Sequence, residues 1–366
     1  MWIYLLLLSG LFMGWSLGTN DAANAFGTAV ATRVVKYRTA VIIIAVMVVL
    51  GAILQGDGNI GKLAELAGSN KVTASLDEAK DAIAHGDAAV ETLRLKSTLK
   101  AAIIFACAGL TVFVMSFLKF PVSANQSITG AIIGWGLFHA NYSDPEVLAV
   151  NLPQIGKFAI TWLINPLGAA IISFVLVLIV KKLFESKITG MRHYDTFIKI
   201  GYLIAGAVAA YSIGVNSSAS VTALYFDMNF AETGVLTNLL SSGTLTATVG
   251  GIAIAVGVLT FSKRVMMTVG GSIADLNQVE GFLVIISMAL TILLMEKLMG
   301  IPVSTSQAVV GAVIGAGLVT SIKTKSLKNV NFKVFGRIGI AWVSSPTVAG
   351  LLTYLVAVCT QGYFAA

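Results

Sequence analysis

The chain has 366 residues, of which 57% are hydrophobic and only 11% are charged, and its mean hydropathy is +0.88. Soluble domains carry about 25% charged residues, so this composition excludes a soluble globular protein and predicts a polytopic membrane protein. The net charge of +7 does not indicate nucleic-acid binding, because the basic residues lie in short loops between apolar segments. There they are typical topology signals.

Apolar segments long enough for membrane helices of about 20 residues recur along the whole chain. In chain order they lie at about 2–17 (continuing to about 32), 39–56, 98–118, 121–138, 158–180, 197–226, 237–262, 281–299, 302–320 and 334–362. Residues 57–97 are charged with helix-like apolar spacing, which predicts a helical excursion outside the lipid. The fold class predicted is therefore an all-α polytopic membrane protein.

The orientation follows from four basic clusters, which we expect to face the cytoplasm. Both termini then lie outside, and the protein is a multi-pass protein of the cell membrane. Residues 1–180 form a first repeat and 200–366 a second, joined by a basic cytoplasmic connector at 181–199. Each half holds five segments, an odd number, so the second half is inverted relative to the first. The clusters are Arg33, Lys36 and Arg38; Lys181, Lys182 and Lys187; Lys263 and Arg264; and Lys323, Lys325 and Lys328.

Internal sequence similarity supports two repeats. The stretches PVSANQSITGAIIGWGL (121–137) and PVSTSQAVVGAVIGAGL (302–318) match at 10 of 17 positions without a gap. GKFAITWLINP (156–166) resembles GRIGIAWVSSP (336–346), and GTNDAANA (18–25) resembles GVNSSASV (214–221). Three landmarks therefore recur in one order.

These landmarks place amides, hydroxyls and one carboxylate beside apolar runs. Packing of small residues would explain the hydroxyls but not Asp21, since a charge at membrane depth costs at least a few kcal/mol. Broken helices or re-entrant hairpins that meet near the bilayer midplane form the usual binding site of a secondary transporter. Helix starts after Pro121 and Pro302 would favour an anion there. The predicted phosphate-binding residues are Asn20, Ser123, Asn125, Gln126, Asn216, Ser304, Thr305, Ser306 and Gln307.

An anion site without Lys or Arg needs a cation, and the hard oxygens around Asp21 suit a small monovalent ion. The predicted sodium ligands are Asp21, Asn24, Asn20, Asn216 and Ser217. We further expect the first helix to break within the motif, between Leu17 and Phe26. That break would place Asp21 at the midplane, with its repeat partner Ser217 approaching from the other side.

The motifs GTNDAANAFG, GVNSSAS, the two PVSxxQ segments and TVGGSI (268–273) together resemble the inorganic phosphate transporter family. The resemblance spans nearly the whole chain and implies sodium- or proton-coupled uptake of inorganic phosphate by two inverted halves with both termini outside. The chain departs from the family at Ser217, where members often have Asp, and at Ser220, where they have Asn. It also has Gln126 and Gln307 where many members have His.

The function predicted is a secondary active transporter that carries phosphate with sodium by alternating access. The alternative is a permease for sulfate or another oxyanion with the same fold, in which coupling to protons is left open. Phosphate still bears a proton near neutral pH and can donate to a carboxylate, which favours phosphate. A channel would need a continuous pore, whereas the paired broken-helix motifs favour alternating access. A membrane-embedded enzyme fits less well, since no Ser or Cys in the pattern has a neighbouring His. The partners expected are phosphate, sodium and the bilayer, with a homodimer left open.

Overall fold

A computed structural model of the chain describes residues 2–56, 88–142, 152–184, 187, 193–226, 243–299, 303–326 and 329–361. These residues are almost entirely helical, and the backbone bridge between Ala274 and Val330 is an isolated one. The helices are α1 (Trp2–Ala31), α2 (Tyr37–Gln55), α3 (Ala88–Phe117), α4 (Ala124–Tyr142), α5 (Leu152–Leu183), α6 (Tyr194–Phe226), α7 (Gly243–Phe261), α8 (Lys263–Gly271), α9 (Gln278–Met299), α10 (Thr305–Thr324) and α11 (Phe332–Cys359).

Eight of these helices contain a stretch long and apolar enough to cross a membrane, which confirms the predicted polytopic all-α fold. They are α2, α3, α5, α6, α7, α9, α10 and α11. Each of the ten predicted apolar segments coincides with a helix, although most of the predicted excursion (57–87) and the start of the seventh segment (237–242) lie outside the described residues.

Helix α1 runs without interruption through GTNDAANAFG, so the predicted break between Leu17 and Phe26 is wrong. The motif is rich in alanine, the best helix former, and it contains no proline. Its polar side chains find partners on other helices, so the backbone has no need to unwind. The helical breaks lie instead at 118–123, between α3 and α4, and directly before α10.

The two halves pack against each other through pairs of contacts that follow the sequence repeat. Helix α1 packs on α7, while its repeat counterpart α6 packs on α2. The first glycine of each motif explains how closely these helices approach. A Cβ atom on Gly18 would lie 2.0 Å from the carbonyl oxygen of Ile254, and one on Gly214 would lie 2.1 Å from that of Val48. Only glycine fits such a backbone contact.

Each of the helices that begin after a PVS segment packs on a proline-containing helix of the other half. Helix α4 packs on α11, and α10 packs on α5. A Cβ on Gly130 would lie 2.1 Å from the carbonyl oxygen of Pro346, and one on Gly311 would lie 2.1 Å from that of Pro166. Each half therefore packs closely against the other, and positions that match in the repeat make matching contacts.

Candidate functional site

The segments that precede α4 and α10 are each held by an asparagine from a motif helix. Asn20 of α1 accepts from the Val122 N–H at 3.1 Å and donates to the Phe120 carbonyl at 3.0 Å. Asn216 of α6 accepts from the Val303 N–H at 3.1 Å and donates to the Val303 carbonyl at 2.9 Å. Asn20 also donates to the hydroxyl of Ser116 at 2.9 Å, so all its bonding groups are engaged.

The two hairpin tips, residues 120–123 and 303–304, also bond across to the helix start of the opposite half. Asn125 donates to the Val303 carbonyl at 3.1 Å, and Ser306 donates to the Val122 carbonyl at 2.8 Å. Positions 125 and 306 correspond in the repeat, so this exchange is reciprocal. It brings the start of α4 and the start of α10 to one place inside the helical assembly.

The proline-containing helices α5 and α11 also hydrogen-bond to the hairpin tips. The indole N–H of Trp342 donates to the Pro121 carbonyl at 3.2 Å, and Asn165 donates to the Ser304 carbonyl at 2.7 Å. Asn165 and Trp342 each come from the half opposite to the tip that they hold. The sequence analysis named neither as a site residue, although both lie in the recurring Trp-to-Pro landmark.

Asp21 lies at the centre of this arrangement and is 4% exposed. One carboxylate oxygen, Oδ2, is 3.3 Å from the hydroxyls of both Ser217 and Thr305. The other, Oδ1, is 3.3 Å from the Ser306 hydroxyl and 3.3 Å from the amide nitrogen of Asn24. Side chains of α1, α6 and α10 thus surround one carboxylate, and Ser217 approaches Asp21 as the repeat predicts.

These contacts are longer than the 2.5–2.7 Å typical of a hydroxyl donating to a carboxylate. Oxygens at right angles around a cation that binds at about 2.3–2.6 Å lie about 3.3–3.7 Å apart. The three hydroxyl-to-carboxylate distances around Asp21, each 3.3 Å, lie at the lower end of that range. Among the described residues, Asn24 Oδ1 is buried without a hydrogen-bond partner, while the amide nitrogen of the same side chain contacts Asp21, Thr305 and Ser306. Carboxylate, hydroxyl and amide oxygens are the ligands that small hard cations prefer.

The start of each hairpin helix is capped and carries a buried acceptor. The Ser123 hydroxyl accepts from the Gln126 N–H at 3.3 Å, and the Ser304 hydroxyl accepts from the Gln307 N–H at 3.2 Å. Within the part of the chain that the structure describes, the Oε1 atoms of Gln126 and Gln307 are buried without a hydrogen-bond partner. A helix start adds about +0.5 elementary charge and unpaired N–H groups, so the region where both begin favours an anion.

The structure thus brings the predicted site residues into one neighbourhood, and each is at most 5% exposed. Two of the predicted ligands, Asn20 and Asn216, use their amides to hold the hairpin tips. Sequence reasoning also missed how Ser220 is used, since its hydroxyl donates to Asn125 Oδ1 across the two halves. Among the described residues, no group of three His, Cys, Asp or Glu side chains could hold a metal ion.

A model of the phosphate transporter family matches residues 17–353. The chain belongs to the phosphate transporter family. The match spans both repeats and every predicted site residue.

Relatives within this family cover the chain almost end to end. A Thermococcus kodakarensis protein provisionally named a phosphate permease is 27% identical, over 96% of this chain and 96% of its own length. A Methanocaldococcus jannaschii protein with the same provisional name is 25% identical, over 97% of this chain and 96% of its own. A solved structure titled "The sodium-dependent phosphate transporter" covers 98% of this chain with a TM-score of 0.74 and 22% identity, a likeness in fold.

Proposed function

We propose that this chain carries inorganic phosphate across the cell membrane together with sodium, by alternating access. The observation that carries the proposal is the meeting of two helix starts beside a single buried carboxylate. Helices α4 and α10 supply partial positive charge and N–H donors for the anion. Asp21 and its ring of oxygens supply the cation site. Binding, not covalent chemistry, is the task of these groups.

Phosphate is favoured over sulfate by the buried acceptors at the helix starts. The Oε1 atoms of Gln126 and Gln307 have no donor within the described residues. A buried acceptor without a donor costs about 1–3 kcal/mol, and a protonated phosphate removes that penalty by donating its O–H groups. Sulfate has no proton to donate near neutral pH. In this proposal the two glutamines, with Ser123, Ser304 and the helix N–H groups, bind phosphate.

Sodium is favoured as the coupling ion because no Lys or Arg belongs to the site residues. Asp21, Asn24, Ser217, Thr305 and Ser306 are its proposed ligands. Asn20 and Asn216 act indirectly, since they hold the hairpin tips in place. The name of the structural relative, a sodium-dependent phosphate transporter, points the same way.

Alternating access fits a site built equally from two halves, 1–180 and 200–366, in inverted orientation about the connector 181–199. The proposed orientation, with both termini outside, is supported by contacts between basic clusters. Tyr37, beside the first cluster, lies 3.2 Å from Ser262 through its hydroxyl, and Lys263 lies 5.8 Å from its ring centroid. The first and third clusters therefore share one end of the helical assembly.

The test is uptake of radiolabelled phosphate into liposomes that contain the purified protein. Inward gradients of sodium, potassium and protons are imposed one at a time. We expect sodium to drive accumulation, excess unlabelled phosphate to abolish it, and excess sulfate to leave it nearly unchanged. Uptake driven by protons alone would contradict sodium coupling, and strong competition by sulfate would favour the oxyanion alternative.

A further inference from the structure

The two hairpin starts provide two corresponding places for a cation, and these differ in chemistry. We call the set Asp21, Asn24, Thr305 and Ser306 the first pocket. The residues that match it through the sequence repeat are Ser217, Ser220, Ala124 and Asn125, which we call the second pocket. Matching residue pairs in the two pockets also make matching hydrogen bonds. Asn24 donates to Ser306 at 3.1 Å in the first pocket, and Ser220 donates to Asn125 in the second.

The second pocket has lost the groups that would hold a cation. Ser217 replaces the carboxylate of Asp21, and its hydroxyl donates to Asp21 in the first pocket. Ala124 replaces Thr305, which removes a hydroxyl oxygen from the helix start. Asn125 Oδ1 is engaged by the Ser220 hydroxyl, and Asn125 Nδ2 by the Val303 carbonyl. The carboxylate and the additional helix-start hydroxyl are therefore present in the first pocket and absent from the second.

The charges near the site also indicate how many sodium ions bind with one phosphate. Among the residues of both pockets, the carboxylate of Asp21 carries the formal charge, −1. The helix starts of α4 and α10 add about +0.5 each. With a singly charged phosphate, one sodium ion brings this sum to about zero, and a second sodium would leave about +1 buried. Gln126 Oε1 and Gln307 Oε1, two acceptors without a donor among the described residues, also match the two O–H groups of dihydrogen phosphate.

Building on the proposed function, we infer that the first pocket is the single sodium site, so that one sodium ion accompanies each dihydrogen phosphate and transport moves no net charge. Sodium bound there lies between the two halves, since α1 and α10 both supply ligands. The anion and the cation are thus held by the same helix start, that of α10. Loading of one then favours loading of the other.

The inference is tested by the flux ratio of the unmodified protein in liposomes. Initial uptake of radiolabelled sodium and radiolabelled phosphate is measured in parallel, with membrane potential set by potassium and valinomycin. We expect one sodium per phosphate, a Hill coefficient for sodium near 1, and equal rates at zero and at inside-negative potential. A ratio of two, or uptake accelerated by the negative interior, would overturn it. Absence of sodium-driven uptake would instead contradict the proposed function.

A double variant, Ser217→Asp with Ala124→Thr, gives the second pocket the carboxylate and the hydroxyl that the first pocket has. We expect the ratio to rise to two and the Hill coefficient to approach 2. The matched control is Ser217→Asn with Ala124→Thr, which has the same shape without the charge and should keep a ratio of one. A rebuilt variant that transports at a ratio of one would contradict the role given to these positions. If it does not fold, the ratio of the unmodified protein still decides.

Discussion

The start of α10 faces a carboxylate, whereas the start of α4 faces a serine, although the backbones around both are held in the same way. Each hairpin helix approaches a proline-containing helix through a glycine, and each tip is held by an asparagine from a motif helix. The packing of the two halves has therefore stayed matched while their polar chemistry has diverged. Changes to the packing should affect both halves alike, and changes to the chemistry should affect them unequally.

The largest effect is expected from the glycines that bring the halves together. Gly130→Ala and Gly311→Ala each place a Cβ 2.1 Å from a proline carbonyl oxygen, so the helices must separate. We expect both variants to lose most of the folded protein, measured by thermal unfolding in detergent. The control is Gly339→Ala in α11, where a Cβ would meet nothing within 4 Å. A large loss in only one of the hairpin variants would show that the packing is not matched.

The next effect concerns the carboxylate. Asp21→Asn keeps the shape but removes the charge, so we expect sodium-driven phosphate uptake to fall on the order of 100-fold, about 2.7 kcal/mol. Ser217→Asn, at the corresponding position of the second half, should change uptake less, because asparagine removes no charge and keeps both a donor for Asp21 and an oxygen for sodium. Thermal unfolding of both variants serves as the check on folding. Normal sodium dependence in Asp21→Asn would show that this residue does not couple the ion.

The anchoring asparagines should again behave as a pair. Asn20→Ala removes the acceptor of the Val122 N–H, and Asn216→Ala removes the acceptor of the Val303 N–H. Each buried group left without a partner costs about 1–3 kcal/mol. We expect both variants to lose affinity for phosphate through a misplaced tip, measured as a rise in the KM for phosphate uptake. Similar losses are expected for both, because neither residue belongs to the part of the site that has diverged.

Most of the fold could be predicted from the sequence because its signals are local. Apolar length gave the helices, and the repeat of PVS and Trp-to-Pro landmarks indicated which positions correspond. The continuity of α1 could not be predicted in this way. Asn20, Asp21 and Asn24 suggest a broken helix by their polarity alone. They remain helical because Val122, Ser217 and Ser306 supply partners from distant parts of the chain.

The contacts of the predicted site residues were harder to predict than their closeness in space. Asn20 and Asn216 are as polar as any ligand, and only their contacts show that they bond backbone. Asn165 was missed because a single asparagine before a proline is also typical of a helix bend, and its contact with Ser304 spans 139 residues. Composition shows that a polar group needs a partner, but it does not show which partner it has.

The smallest effect is expected from the serines that cap the hairpin helices. Ser123→Ala and Ser304→Ala each remove a cap and a hydroxyl donor at the proposed anion site, and one lost hydrogen bond to the anion costs about 1 kcal/mol. We expect phosphate affinity to fall about fivefold in each, measured by the KM for uptake, and the lost cap to lower the free energy of unfolding by about 1 kcal/mol. Ser127→Ala is the control, because its hydroxyl bonds the Ser123 carbonyl within its own helix and α10 already has Ala308 at the matching position. Unchanged affinity in both cap variants would mean that these hydroxyls serve packing, and the anion would then be held by backbone N–H groups and the glutamines.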